Sequence, residues 1–296
     1  FREDLQVHED EQFFMNVLLR KQKVGFSNVG AYRYRQHANS AIATKMHPYY
    51  QFEATIGFWE ELFARYPGKA PLYLQASFLN EINWKIRQDV LFPYHYEKHD
   101  FDRAVSRIRA LLGRVDNDVI LTSPRSDEFY QHYLMSLKRT SELSCFPEPS
   151  GFVIRDRDEF LICRSAASLE IVKTWICNGE LLIEGIVRSL LFEYASDCQL
   201  ILESDAGRTQ TIELLSTSLD YHEGRTKTNS FRKFAAGIPA DIDRTISFFL
   251  ESKTTRLVAR ISYDKRANLS PKEGICAFMQ NGVVVEGHGD RIRIAK

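Results

Sequence analysis

The stretch Cys145-Phe146-Pro147-Glu148-Pro149-Ser150-Gly151 decides the fold. Proline removes a backbone donor and cannot continue a helix, and glycine relaxes the chain, so such a cluster ends one kind of structure and opens another. Before it, apolar residues recur at helical spacing. After it, short apolar runs alternate with polar turns. The expected class is α+β with several domains, divided as 1–47, 48–147 and 148–296.

Working upstream, Phe52, Ile56, Trp59, Leu62 and Phe63 repeat as on one face of a helix. Leu74, Phe78, Ile82, Ile86 and Val90 do the same, and Pro67-Gly68 separates the two runs. Phe101 to Leu112 reads as a third helix, capped by Asp100 and closed at Gly113. Ser123 to Leu137 reads as a fourth, with Ser123 as cap and Pro124 in its first turn. The aromatics Phe58, Trp59, Tyr94, Tyr96 and Phe101 are of a kind that stacks on sugar rings, but this pattern reads as core. His95 and His99 have metal-ligand spacing for a helix, which Pro93 argues against.

Working downstream, Phe152 to Ile154 and Phe160 to Ile162 flank a charged turn over Arg155 to Glu159. Further strands are expected at 169–176, 180–187, 199–203, 209–214, 246–251, 255–262 and 282–286. Short, evenly spaced strands with polar turns predict an antiparallel β-sandwich of immunoglobulin-like architecture, without the Cys…Trp…Cys arrangement of antibody domains.

The first 47 residues carry the chemistry. Phe13, Phe14, Val17 and Leu18 have amphipathic helical spacing, and short strands are expected at 24–26 and 31–35. Val7-His8-Glu9-Asp10-Glu11-Gln12-Phe13-Phe14 gathers acids and an imidazole at the start of that helix. The helix dipole favours carboxylates there, which explains them structurally. An ionised aspartate is also what general-base catalysis on a hydroxyl requires.

Composition narrows the classes. The chain has 296 residues, 44% hydrophobic and 26% charged, with a formal net charge of +0. No global field draws it to nucleic acid or to an anionic membrane. No apolar run approaches the roughly 20 residues that span a bilayer. Cys145, Cys163, Cys177, Cys198 and Cys276 are odd in number and without CxxC spacing, which fits reduced thiols rather than a disulfide or zinc framework. The opening Phe1-Arg2-Glu3-Asp4 has neither Met nor a signal pattern and reads as a start inside a longer protein.

The segment from Phe1 to Asp10, followed by Phe13, resembles the late catalytic motif of bacterial family 2 glycosyltransferases. Tyr32-Arg33-Tyr34-Arg35-Gln36-His37-Ala38-Asn39-Ser40 is similar to the strand that follows it in that family, although His8 stands where glycine is frequent. The resemblance spans about 45 residues and implies the tail of a GT-A fold α/β domain over 1–47. It implies Asp10 as the base for inverting transfer, with Glu9 orienting it or binding the acceptor. It implies His37 as a ligand of a divalent Mg or Mn ion, Arg35 on the diphosphate and Ser40 on a phosphate. The residues alone equally allow His37 as a loop histidine, Arg35 as a surface ion-pair partner and Ser40 as a cap.

Gly179-Glu180-Leu181-Leu182-Ile183-Glu184-Gly185 and Phe231-Arg232-Lys233-Phe234-Ala235-Ala236-Gly237-Ile238-Pro239 are similar to accessory β domains of wall teichoic acid and capsule transferases. This implies polymer binding or homo-oligomerisation, with the helical zone as connector. The basic residues of 222–233 would touch an anionic polyol-phosphate chain, or form a solvated loop. The metal motif Asp-x-Asp of such enzymes is expected upstream. Asp116-Asn117-Asp118 precedes rather than follows an apolar run, and Asp156-Arg157-Asp158 reads as a turn.

The expectation is therefore part of an inverting glycosyltransferase using a nucleotide-sugar donor and a polysaccharide or polyol-phosphate acceptor. It would work in the cytoplasm, at the inner face of the membrane if peripherally bound, and without nucleic acid. This piece alone is expected to be inactive. The alternative is a non-catalytic polymer-binding or oligomerisation module.

Overall fold

The computed structural model describes residues 9–21, 23, 48–87, 95–139, 142–148, 151–157, 159–216, 231–240, 243–264, 267, 270–272 and 275–295. They fall into two compact units, the second beginning at Glu142.

The first unit is helical among its described residues. It comprises α1 (Glu9–Lys21), α2 (Pro48–Ala64), α3 (Leu72–Arg87), α4 (Lys98–Leu112), α5 (Asn117–Leu121) and α6 (Glu128–Lys138). The helical periodicity predicted the core: Phe52, Ile56, Trp59, Leu62 and Phe63 of α2 are buried with Leu74, Phe78, Ile82 and Ile86 of α3. Trp59 meets Phe58 and Phe78 edge-on, with centroids 5.2 and 5.6 Å apart, the geometry that ring quadrupoles favour. Tyr96 packs between Phe52 and Phe101, so these aromatics serve packing.

Charged side chains tie the helices together. Arg107 of α4 donates through Nε and Nη2 to the two oxygens of Glu60, both at 2.8 Å, and through Nη1 to Glu53 at 2.6 Å. Arg114 donates to the carbonyls of Phe63, Tyr66 and Gly68, satisfying the end of α2 and the turn after it.

Two local expectations change, the start of the third helix and the extent of the fourth. Helix α4 starts at Lys98 with Glu97 as its cap residue, so Asp100 lies inside the first turn, paired with Arg103 at 3.2 Å. Gly113 does close α4, but with φ −57°, so that position does not need glycine's left-handed freedom. The helix expected over 123–137 starts later, as α6 (Glu128–Lys138), and the short α5 (Asn117–Leu121) precedes the expected range. Asp127 caps α6 by accepting the amides of Phe129 and Tyr130, both at 3.0 Å. Ser123 instead accepts a bond from the Ser126 hydroxyl at 3.2 Å.

Helix α1 also departs from its pattern. Gln12, Met15 and Leu18 are its buried residues, while Phe13, Phe14 and Val17 are exposed. The inward stripe follows a three-residue row that places a glutamine inside, which apolar periodicity alone does not detect.

The second unit holds the strands. A three-stranded antiparallel meander is formed by β1 (Ser144–Glu148), β2 (Gly151–Asp156) and β3 (Glu159–Arg164). Among the described residues strand β1 pairs only with β2, and an edge strand tolerates Pro147. The cluster that decided the fold thus already contains the first strand.

The larger sheet has twelve strands. These are β4 (Ala166–Cys177), β5 (Glu180–Arg188), β6 (Gln199–Ser204), β7 (Thr209–Ile212), β8 (Leu215–Ser216), β9 (Phe231–Pro239), β10 (Arg244–Glu251), β11 (Arg256–Tyr263), β12 (Ser270–Lys272), β13 (Ile275–Gln280), β14 (Val283–His288) and β15 (Arg291–Ala295). The pairing path runs β12-β13-β14-β15-β10-β11-β4-β5-β9-β8, with β7 and β6 joined to it through β10.

Two features depart from the expected antiparallel sandwich. Strand β11 pairs with β4 in parallel, Val258 beside Ala166 through Tyr263 beside Ile171. The first half of β10 pairs with β15 and its end with β11, while β6 runs along β10 from Ile246 to Glu251. Strand β10 is therefore the junction of the sheet. Tight turns at Asn178-Gly179 and Asn281-Gly282 have positive φ at both residues, the twist that two-residue hairpins need.

Candidate functional site

Glu9 opens α1 and Asp10 follows it. The first amides of a helix have no intrahelical acceptor. Asp10 Oδ1 accepts the Glu11 amide at 2.7 Å, which holds the exposed carboxyl group at the positive end of the helix dipole. Of the five residues to which the family resemblance assigns a role, Asp10 is the one whose side chain is described. The side chain of Glu9 and all of Arg35, His37 and Ser40 lie outside the described residues.

The adjoining residue leads to a cleft of about 420 Å³ lined by Glu11, Ser77, Asn80, Glu81, Asn83, Trp84 and Arg125. Ser77, Asn80, Glu81 and Trp84 stand at i, i+3, i+4 and i+7 on α3, a single stripe opposite the apolar one. The cleft therefore lies between the start of α1, one face of α3 and the turn before α6. Glu81 pairs with the buried Lys85 at 3.3 Å. Trp84 is 56% exposed, unlike the fully buried Trp59.

Asn83 is 3% exposed. Its Nδ2 donates to Ser126 Oγ at 2.5 Å, while its Oδ1 has no hydrogen-bond partner among the described residues. A buried amide oxygen left unpaired is costly, so it marks a position where a donor is missing.

Sequence reasoning missed these residues except Glu11, which it quoted only as part of an acidic run. The available signal was the second stripe of α3, where polar residues alternate with a tryptophan at helical spacing.

Other sequence candidates take structural roles. Asp116 pairs with Lys69 at 2.7 Å, and that bond holds its carboxyl below the usual carboxylate range. Arg157 has φ 53° in the β2–β3 turn. Arg232 lies over the Phe192 ring at 4.9 Å, and most of the basic run before it lies outside the described residues. Among the described residues no group of three or more His, Cys, Asp or Glu is placed to hold a metal ion. No helix among them is long and apolar enough to cross a membrane.

The second unit has a groove of about 460 Å³ on the outer face of β5 and β9, lined by Val172, Glu184, Ile186, Leu215, Lys233 and Ala235 with Gly185 and Phe234. Its walls are mainly apolar side chains flanked by one acid and one amine.

No family model matches the chain. A region of 150 residues, 49% of the chain, is 23% identical to the minor teichoic acid biosynthesis protein GgaB of Bacillus subtilis strain 168. That region spans 17% of the relative's own length. Among solved structures, the crystal structure of S. aureus TarS aligns with a TM-score of 0.45 and 10% identity, over 84% of this chain and 48% of that one. A TarS 217–571 structure aligns with a TM-score of 0.30 and 10% identity, over 84% and 76%. The sequence match relates about half of this chain to a teichoic acid biosynthesis protein, in agreement with the resemblance read from its motifs.

Proposed function

We propose that the chain is part of an inverting glycosyltransferase that passes a sugar from a nucleotide-sugar donor to a cell-surface polymer of teichoic acid or capsule type. The observation that carries this reading is the start of α1. It begins at Glu9-Asp10 within the family-like motif and presents the Asp10 carboxyl at its exposed N-terminal end. The similarity to a teichoic acid biosynthesis protein supports the polymer class.

In this reading Asp10 takes the proton from an acceptor hydroxyl as that oxygen attacks the anomeric carbon. The carbon–oxygen bond to the nucleotide diphosphate breaks on the opposite face, and the diphosphate leaves with its electron pair. Glu9 orients the base or the acceptor. Arg35 and Ser40 bind the diphosphate, a task that suits a guanidinium and a hydroxyl. His37 belongs to the proposal as a ligand of a divalent metal. The described residues offer no donor set for that ion, so no step is routed through it. The reaction is placed at the cytoplasmic side of the membrane.

The test is transfer of labelled sugar from a panel of nucleotide-sugars to polyol-phosphate oligomers by the full protein that carries this chain. Product formed with inversion supports the reading. Hydrolysis or transfer to small phosphates alone argues against it.

A second reading rests on the outer groove of the larger sheet. There the β unit is a polymer-binding or assembly module, and its removal would weaken polymer retention while leaving transfer to short acceptors.

A further inference from the structure

We infer that the cleft between α1, α3 and Arg125 is a subsite for a hydroxyl-rich unit of the acceptor chain, stacked on Trp84. The inference rests on the glycosyltransferase reading and names where the acceptor lies relative to α1.

Four observations carry it. First, Trp84 is 56% exposed on the cleft side of α3, whose Leu74, Phe78, Ile82 and Ile86 are buried; the exposed Leu72 and Tyr73 stand in its first turn, outside the cleft. A flat, amphipathic ring at a cleft wall gives large contact area at low entropic cost. Second, the remaining wall supplies amide, hydroxyl and carboxyl groups from Ser77, Asn80, Glu81 and Glu11. These accept and donate to hydroxyls in fixed directions. Third, Asn83 stands on the cleft lining with a buried Oδ1 that has no hydrogen-bond partner among the described residues, so a polar group remains unsatisfied at the cleft's edge. Fourth, the volume of about 420 Å³ lies within the roughly 300–1,000 Å³ of small-ligand clefts.

Charge separates the acceptor from the donor. Glu81 is paired with Lys85, and the wall also carries the acid Glu11 and the cation Arg125. With Lys85 counted beside Glu81, the acids and cations of this wall offset each other, so a multiply charged nucleotide diphosphate finds no net positive charge there. A sugar or polyol unit is itself uncharged and carries charge only at the neighbouring phosphodiester, so it suits a wall without net charge. Glu11 also follows Asp10 in the chain, so the cleft begins one residue from the proposed base.

The experiment is calorimetric titration of the full protein with a polyol-phosphate oligomer bearing sugar substituents, and separately with the nucleotide-sugar. Trp84→Ala, Trp84→Phe and Arg125→Ala are compared with the parent protein. Trp84 stands at the surface, so its replacement leaves the core intact. Trp84→Ala is expected to weaken oligomer binding about tenfold or more, with partial recovery in Trp84→Phe and no change for the nucleotide-sugar. Arg125→Ala is expected to flatten the salt dependence of oligomer binding. Unchanged oligomer affinity in Trp84→Ala overturns the inference, as does a loss confined to the nucleotide-sugar. Replacement of Asp10 bears on turnover and leaves this binding in place, so failure of the catalytic reading and failure of the subsite give different results.

Discussion

The ring of Phe234 lies over the backbone of Gly185. A β-carbon placed at 185 would stand 2.5 Å from Phe234 Cε1 and 2.6 Å from the carbonyl oxygen of Glu170. The two residues are direct partners in the β5–β9 register. Beside them, β4 carries an irregularity between Ile171 and Lys173. The ring continues inward to Phe248 at 5.9 Å. The two motifs that resemble accessory β domains thus pair along the β5–β9 ladder, and glycine stands at 185 because an aromatic ring occupies the space of a side chain.

Gly185→Ala should therefore destabilise the second unit by about 1–3 kcal/mol, the usual cost of forcing an extra carbon into a packed site. Gly179→Ala gives a comparison without crowding, since nothing lies within 4 Å, although its φ of +78° adds backbone strain. Denaturant unfolding of the two variants checks this. A Gly185→Ala protein as stable as the parent would show that the ring moves freely.

Arg107 should matter to the helical unit beyond its charge. It meets Glu60 with two donors and Glu53 with a third. Lysine preserves the charge but not the fork, so Arg107→Lys should recover less than half of the loss in Arg107→Ala. That loss should be about 1–2 kcal/mol, since the pair is only partly shielded from water. Thermal unfolding of both variants at low and high salt is the measurement.

The thiols should divide by burial. Burial pushes Cys145 and Cys198 up from 9.0 to about 11, while Cys163 and Cys177 are exposed. A thiol raised in the folded state favours folding fully below its unfolded value near 9. It loses that contribution as pH climbs towards about 11, because only the unfolded chain ionises freely. Alkylation at pH 8 should label Cys163 and Cys177 first, and stability should decline between pH 9 and 11. Replacing Cys145 and Cys198 by Ala should flatten that decline. Mass spectrometry of labelled peptides and unfolding across pH provide the checks.

The periodic parts of the fold were legible in the sequence. The stripes of α2 and α3 and the alternation of β4, β5 and β10 mark their buried faces directly. Strand β9 was quoted as a motif and not as a strand, because Arg232 and Lys233 interrupt its alternation. Strand β1 hid behind Pro147, which an edge position tolerates. The parallel pairing of β4 with β11 depends on residues about ninety apart, and no local pattern encodes it.

The site was legible only in part. The acidic start of α1 was visible because a helix N-terminus and a family-like motif coincide there. The cleft was not, since Glu11, the α3 stripe and Arg125 come from three separate segments. Asn83 reads in sequence as an ordinary helical polar residue, and only burial reveals its unpaired oxygen.

Asp10 is proposed as the base of a sugar transfer. The direct measurement is turnover of the full protein with Asp10→Asn, using saturating nucleotide-sugar and polyol-phosphate acceptor. Asparagine keeps the shape and removes the base. If Asp10 is the base, kcat falls about 10²–10⁴-fold with acceptor affinity retained. A fall of only a few-fold, with the protein folded and the acceptor still bound, would contradict it.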